Sequence, residues 1–248
     1  MARAAMQMYT VRDYGRDLGE RLALVRAAGF SFVEITPTGS FDLTVELLES
    51  HGLTPVSTGM DLTTWSDVRA VEENFRFLEH FRARGSMNGF FHSEKQADWV
   101  SAAAKLEEMA QEFRRRGFVF EYHNHDHEYR LNFGGRNALD VLFDHAPSLK
   151  YQMDIGWVTA GGADPLAMME RYRDRLTAVH VKDLPRSYAR GSRATMPDLG
   201  RGETPIAEAV HRALGLGVSD FIVENDFPAD IPAFCTQAYR TLDRLLHA

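Results

Sequence analysis

The chain of 248 residues carries 35 acidic against 28 basic side chains, a formal net charge of −7, with 44% hydrophobic and 25% charged residues. These are ordinary globular proportions and exclude a disordered or collagen-like chain. The acidic balance argues against a nucleic-acid partner, whose phosphates are bound by clustered cations, and the single cysteine, Cys235, excludes an intramolecular disulfide or a cysteine-rich zinc site.

The first ten residues lack the apolar stretch of a signal peptide and lead at once into a strand pattern over residues 5–10. A helical pattern follows over 18–28, closed by Gly29, and then a strand over 32–36. A helix over 45–51 ends at Gly52, and a third strand covers 54–58. The fourth strand is read over 87–91. Trp99, Ala103, Leu106, Ala110 and Phe113 then share one face of a helix over 96–116 that stops at Gly117. Strands over 118–124, 151–154 and 178–182 come next. An irregular stretch over 184–204 precedes a helix over 206–216, Gly217 and the last strand, 221–224.

Eight strands alternating with helices require a parallel sheet with helical crossovers, at about one βα unit per 31 residues. The fold class read here is α/β: one domain over 1–248, a closed (β/α)₈ barrel with its site at the C-terminal ends of the strands. An open doubly wound sheet is the rival. It calls for a glycine-rich loop after the first strand, and residues 9–14 hold no glycine. No run approaches the roughly 18 apolar residues of a membrane span, so no membrane partner and a cytoplasmic location are expected.

Ionisable residues gather at the ends of the later strands: Glu121, His123 and His125, then Asp154, then His180 and Lys182, then Glu224. Side chains alternate along a strand, so Glu121, His123 and His125 share one face while Tyr122 and Asn124 take the other. Carboxylates and imidazoles inside a barrel are costly unless paired or bound to metal. A divalent cation would satisfy them together. Mixed oxygen and imidazole donors suit Mn²⁺ or Co²⁺ well, Zn²⁺ acceptably and Mg²⁺ less well.

The segments MQMYTVRD (6–13), YHNHDHE (122–128), MDIGW (153–157) with AGGADP (160–165), HVKD (180–183) and VEND (223–226) follow one another along nearly the whole chain. Each is weak alone, but the ordered set resembles the motifs of the sugar phosphate isomerase/epimerase family, of xylose isomerase-like TIM-barrel fold. The resemblance implies a metal-dependent sugar or polyol isomerase or epimerase. It would abstract a proton next to a metal-bound carbonyl and pass through an enediolate. It also implies Asp154, His180 and Glu224 as metal ligands, with the fourth drawn from Glu121, His125 or Glu128 and Glu121 favoured.

His123 is the candidate proton-transfer group, with Glu128 and Lys182 as further catalytic candidates. Lys182 would stabilise a developing oxyanion or a substrate phosphate, unless it simply pairs with Asp183. Tyr9, His92, Asn124 and Trp157 are candidates for binding the sugar, because aromatic faces pack on the apolar faces of sugar rings. Histidines where relatives favour carboxylates leave a dehydratase or lyase outcome on inososes or 3-keto-glycosides open. An apurinic-site endonuclease or a non-catalytic sugar-binding barrel are the remaining classes. Barrels of this type often associate, so a homo-oligomer is compatible with the sequence.

Overall fold

The computed structural model describes residues 2–37, 40–189 and 191–248. Eight strands close into a parallel barrel in chain order: β1 (Arg3–Gln7), β2 (Phe32–Glu34), β3 (Thr54–Gly59), β4 (Gly85–Asn88), β5 (Val119–His123), β6 (Lys150–Asp154), β7 (Leu176–Val181) and β8 (Asp220–Val223), with β8 pairing back onto β1. The outer ring comprises α1 (Leu18–Ala28), α2 (Phe41–Ser50), α3 (Val68–Phe81), α4 (Gln96–Arg115) and the single turn α5 (His127–Arg130). It continues through α6 (Ala138–His145), α7 (Ile155–Ala160), α8 (Pro165–Arg171), α9 (Ile206–Gly215) and α10 (Ile231–Leu246).

Local chemistry sets the ends of these elements. α4 buries Trp99, Leu106, Met109 and Phe113 on one stripe, each worth about 1.5–3 kcal/mol relative to exposure. Gly117 follows at φ +85°, a conformation that an L side chain rarely adopts, and so it turns the chain from α4 into β5. The strands expected over 5–10 and 87–91 both end earlier than their apolar residues suggested. The Gln7 side chain accepts from Tyr9 N at 3.2 Å and bends Met8–Val11 into a 3₁₀ turn. β4 begins at Gly85, where a Cβ would sit 1.8 Å from Val119 O, and so the paired segment lies two residues upstream of the reading. Phe90 and Phe91 are left in the loop that follows.

The inward side chains form layers. The lowest is ionic: Arg84 bridges Asp220 and Glu121, the latter at 2.7 Å, and Arg3 Nε meets Asp220 at 2.6 Å. Above it Ala5, Val56, Ala178 and Ile222 pack with Phe32 and fill the bore. Polar residues return only in the upper layer. Asp183 fastens the long segment after β7: its carboxylate accepts from the backbone N–H groups of Gly200, Arg201, Gly202 and Thr204 at 2.8–3.1 Å. Cys235 is buried on α10, and burial pushes its thiol up to about 12. Among the described residues, no helix is long and apolar enough to cross a membrane.

Candidate metal centre

Four buried side chains from four successive strands meet at the open end of the barrel: His123 ending β5, Asp154 ending β6, His180 on β7 and Glu224 just past β8. One donor atom from each lies within 4.8 Å of every other. Register sets Asp154 beside His180, while His123 pairs with Gln152, two residues before Asp154, and His180 with Ile222, two before Glu224.

Asp154 serves two neighbours. Its Oδ1 caps α7 by accepting from Trp157 N at 2.8 Å, while Oδ2 has no hydrogen-bond partner and faces Lys182 Nζ at 3.2 Å. Burial pushes its pKa up to about 6 against the pull of Lys182. His123 Nδ1 is also buried without a hydrogen-bond partner. Burial, with the charge of His180 4.4 Å away between ring centres, holds this imidazole down to about 3. It is therefore neutral, with a nitrogen lone pair available.

His180 is clamped on both sides. Nδ1 meets Glu224 Oε2 and Nε2 meets Glu34 Oε1, each at 2.8 Å. Burial alone would lower its pKa, but the two carboxylates outweigh that and raise it to about 10. Glu34, ending β2, also accepts from Gln7 Nε2 and Gln152 Nε2 at 2.6 Å and from the Ser57 hydroxyl. Burial raises the Glu34 pKa, yet His180 and these hydrogen bonds leave it below the usual carboxylate range. Lys182 Nζ sits among Asp154, Glu224 and Asp226 at 3.0–3.2 Å, and these carboxylates keep it protonated despite burial. The close packing of α7 against Lys182 depends on Gly156, where a Cβ would lie 2.8 Å from Lys182 O.

Two imidazoles and two carboxylates form a donor set that suits a divalent transition metal, and such an ion would satisfy His123 Nδ1, which has no hydrogen bond, and Asp154 Oδ2, whose contact is the ammonium of Lys182. A cavity of about 620 Å³ opens over this group, lined by His123, His125, His180, Glu224 and Asp226 on one side and by β1–β4 loop residues such as Tyr9 and Phe90 on the other.

Several sequence-stated candidates lie elsewhere. Glu121, the favoured fourth ligand, points inward as expected but two residues deeper, about 7 Å down the strand. There it is bound by Arg84 and Thr177 in the ionic floor. His123, read as a proton carrier, stands in the donor group instead. Period-two alternation specifies the face of a residue and leaves its depth open.

His125 lines the cavity beyond the end of β5, outside the four-residue group. Glu128, on α5, is not among the cavity's lining residues. It accepts from Tyr122 Oη and His125 N at 2.8 Å, and burial pushes it up to about 8. Asn124 lies behind the wall, accepting from Tyr151 Oη and Asp154 N and thereby stapling β5 to β6. His92 lines a separate shallow cavity, next to Glu94. Tyr9 does line the mouth, and Trp157 lines an adjoining cavity. Lys182 pairs with Asp154, Glu224 and Asp226, whereas Asp183 holds the loop.

Glu34, Gln7, Ser57, Gln152 and Asp226 were not singled out. The signal for Glu34 was present: a lone acid inside the apolar run Phe32–Val33–Glu34–Ile35, at a strand end.

Comparison with known proteins gives three findings. The chain aligns over 98% of its length with 98% of a sugar phosphate isomerase/epimerase from Parabacteroides distasonis, at 18% identity and a TM-score of 0.77. It aligns over 97% with 98% of a probable 3-DHS dehydratase from Bacillus anthracis (14%, 0.74), and over 98% with 96% of a D-allulose 3-epimerase from Methylomonas sp. solved with D-allulose (12%, 0.72). At these identities the likeness is one of fold. No curated protein sequence matches. The family model described as xylose isomerase-like TIM barrel matches residues 22–227, most of the chain, and the protein belongs to that family.

Proposed function

We propose that this protein is a metal-dependent enzyme acting on a sugar or polyol, removing a proton from the carbon next to a carbonyl so as to isomerise or epimerise it. The observation that carries this reading is the buried four-residue group itself, three of whose members, His123, His180 and Glu224, line an open cavity, with His123 Nδ1 making no hydrogen bond. A divalent ion held by His123, Asp154, His180 and Glu224 would supply a Lewis acid that polarises a carbonyl and its neighbouring hydroxyl.

The protein's own residues supply the rest. Glu34 accepts from His180 Nε2 and orients the ring so that Nδ1 would face the ion once the ion takes the place of that nitrogen's proton, as carboxylates behind ligating histidines do. Lys182 offsets the mutual repulsion of Asp154, Glu224 and Asp226. His125 is the proton carrier outside the donor group: it lines the cavity, its Nδ1 has no hydrogen-bond partner, and burial keeps its imidazole neutral, with a lone pair that can take up a proton. Burial and the neighbouring His123 and Lys182 disfavour the resulting imidazolium, and the charge of Glu224 offsets part of that cost. The same histidine could protonate a departing hydroxyl or glycosidic oxygen, which is the feature that favours a dehydratase or lyase as the second reading.

The test is solvent deuterium exchange. Protein loaded with Mn²⁺ and incubated in D₂O with ketoses and inososes incorporates deuterium at the carbon beside the carbonyl, and EDTA abolishes it. Exchange absent from every substrate, with EDTA altering nothing, would overturn the reading.

A further inference from the structure

The cavity over the donor group is lined by the carboxylates of Asp61, Glu73, Glu224 and Asp226 and, among the described residues, by no lysine or arginine. Asp61, in the loop after β3, is exposed, and its side chain makes no ion pair or hydrogen bond among the described residues. Glu73, on α3, meets Arg69 at 2.9 Å, but that arginine side chain is 87% exposed and does not line the cavity. Lys182 is buried behind the wall and already held by Asp154, Glu224 and Asp226.

A bound anion needs cations or N–H groups that nothing else has taken. Barrels of this architecture frequently hold phosphate in the loops after the seventh and eighth strands and at nearby helix N-termini. Here the chain's own acids stand at those places. Asp183 accepts from the N–H groups of Gly200, Arg201, Gly202 and Thr204 in the loop after β7. α9 carries Glu208 in its first turn, and α10, after β8, is capped by Asp230, which accepts from Ala233 N at 2.9 Å. On the β3 side, Asp67 caps α3 by accepting from the N–H groups of Arg69 and Ala70. Arg193 lines an adjoining cavity, but it is exposed to solvent, where its field is screened, and Asp226 lines that cavity with it.

We propose that the site takes an uncharged ketose or keto-polyol, and that Asp61 and Glu73 select it by accepting from its hydroxyls and repelling phosphorylated sugars. The inference rests on the sugar-directed reading above and specifies its substrate class. The carbonyl and its neighbouring hydroxyl face the ion, and the remaining hydroxyls extend toward β3 and α3. A phosphate on that end would bring up to about two negative charges against carboxylates. A hydroxyl meets the same oxygens as a hydrogen-bond donor, so one wall favours the free sugar and disfavours its phosphate.

The experiment is calorimetric titration of the Mn²⁺-loaded protein, at low ionic strength, with matched pairs: D-fructose and its 6-phosphate, D-ribulose and its 5-phosphate, D-xylulose and its 5-phosphate. At least one free ketose binds, and its phosphate binds about tenfold or more weakly. In the double variant Asp61→Asn, Glu73→Gln, checked for folding by thermal melts, that gap narrows to about threefold or less. Glu72→Gln, on the same helix but paired with Arg116 away from the cavity, leaves the gap unchanged. A phosphate that binds as tightly as its free partner, no binding by any free ketose, or a gap that the double variant leaves intact overturns the inference. Deuterium exchange reports separately on the reaction. Exchange confined to phosphorylated ketoses sinks the substrate class and leaves the chemistry standing, whereas no exchange with any sugar, with EDTA altering nothing, sinks the chemistry.

Discussion

Replacing Glu34 with glutamine keeps the side chain's shape and removes its charge. In the native protein Oε1 accepts from Gln7 and His180, and Oε2 from Ser57 and Gln152. A glutamine offers one acceptor oxygen and an NH₂ group. The arrangement with least conflict turns the NH₂ toward Ser57 Oγ, which can accept, and leaves the oxygen to His180.

His180 then keeps a hydrogen bond but loses one of the two charges that raise its pKa to about 10. Its other nitrogen, facing Glu224, becomes a poorer ligand. Loss of such a supporting carboxylate weakens metal binding by about 10- to 100-fold, or about 1.4–2.8 kcal/mol. The fold weakens by about 1–3 kcal/mol, because Gln152 Nε2 then faces the new NH₂ and loses its buried acceptor. Mn²⁺ titration calorimetry reads the first quantity and thermal denaturation of metal-free protein the second. Unchanged Mn²⁺ affinity in a folded Glu34→Gln variant would refute the assigned role of Glu34 in orienting His180.

Two further outcomes follow from neighbouring residues. Burial raises Glu128 to about 8, so its contribution to stability is complete below the ordinary value near 4.5 and is lost as pH rises through about 8. Glu128→Gln stays neutral, and its melting temperature declines less than that of the native protein between pH 5 and 9; parallel curves would show that Glu128 is ionised in the fold. Asp183→Ala leaves four backbone N–H groups without their acceptor, each costing about 1–3 kcal/mol if left unmet by water. Hydrogen exchange over 184–204 accelerates at least tenfold, and unchanged protection would mean that other contacts hold the loop.

The parts of this molecule that were legible in its sequence are those written in local chemistry. Asp154, His180 and Glu224 end apolar strand runs, and a polar group ending a barrel strand lies at the active rim. The stop of α4 at Gly117 was equally plain. Depth and partnership were not. Glu121 and His123 obey the same alternation, and only the pairing of β5 with β4 and β6 puts one among the ions of the floor and the other among the donors. Glu34 meets His180 across 146 positions, a proximity that no spacing encodes. Phe90 and Phe91 read as strand because aromatic residues favour sheets, yet the close contact permitted by Gly85 draws the pairing upstream.

The ionic floor and the packed bore above it have a consequence for traffic. With Arg84, Glu121 and Asp220 filling the far end and Ala5, Val56, Ala178 and Ile222 occupying the middle, the described residues close the cylinder below the donor group and leave it approached from the open end. Whatever lies lowest arrives first and departs last. On the proposed function, a sugar resting over the donor group would shield the ion from chelators, and each spent molecule would have to clear the threshold before a fresh one could step in.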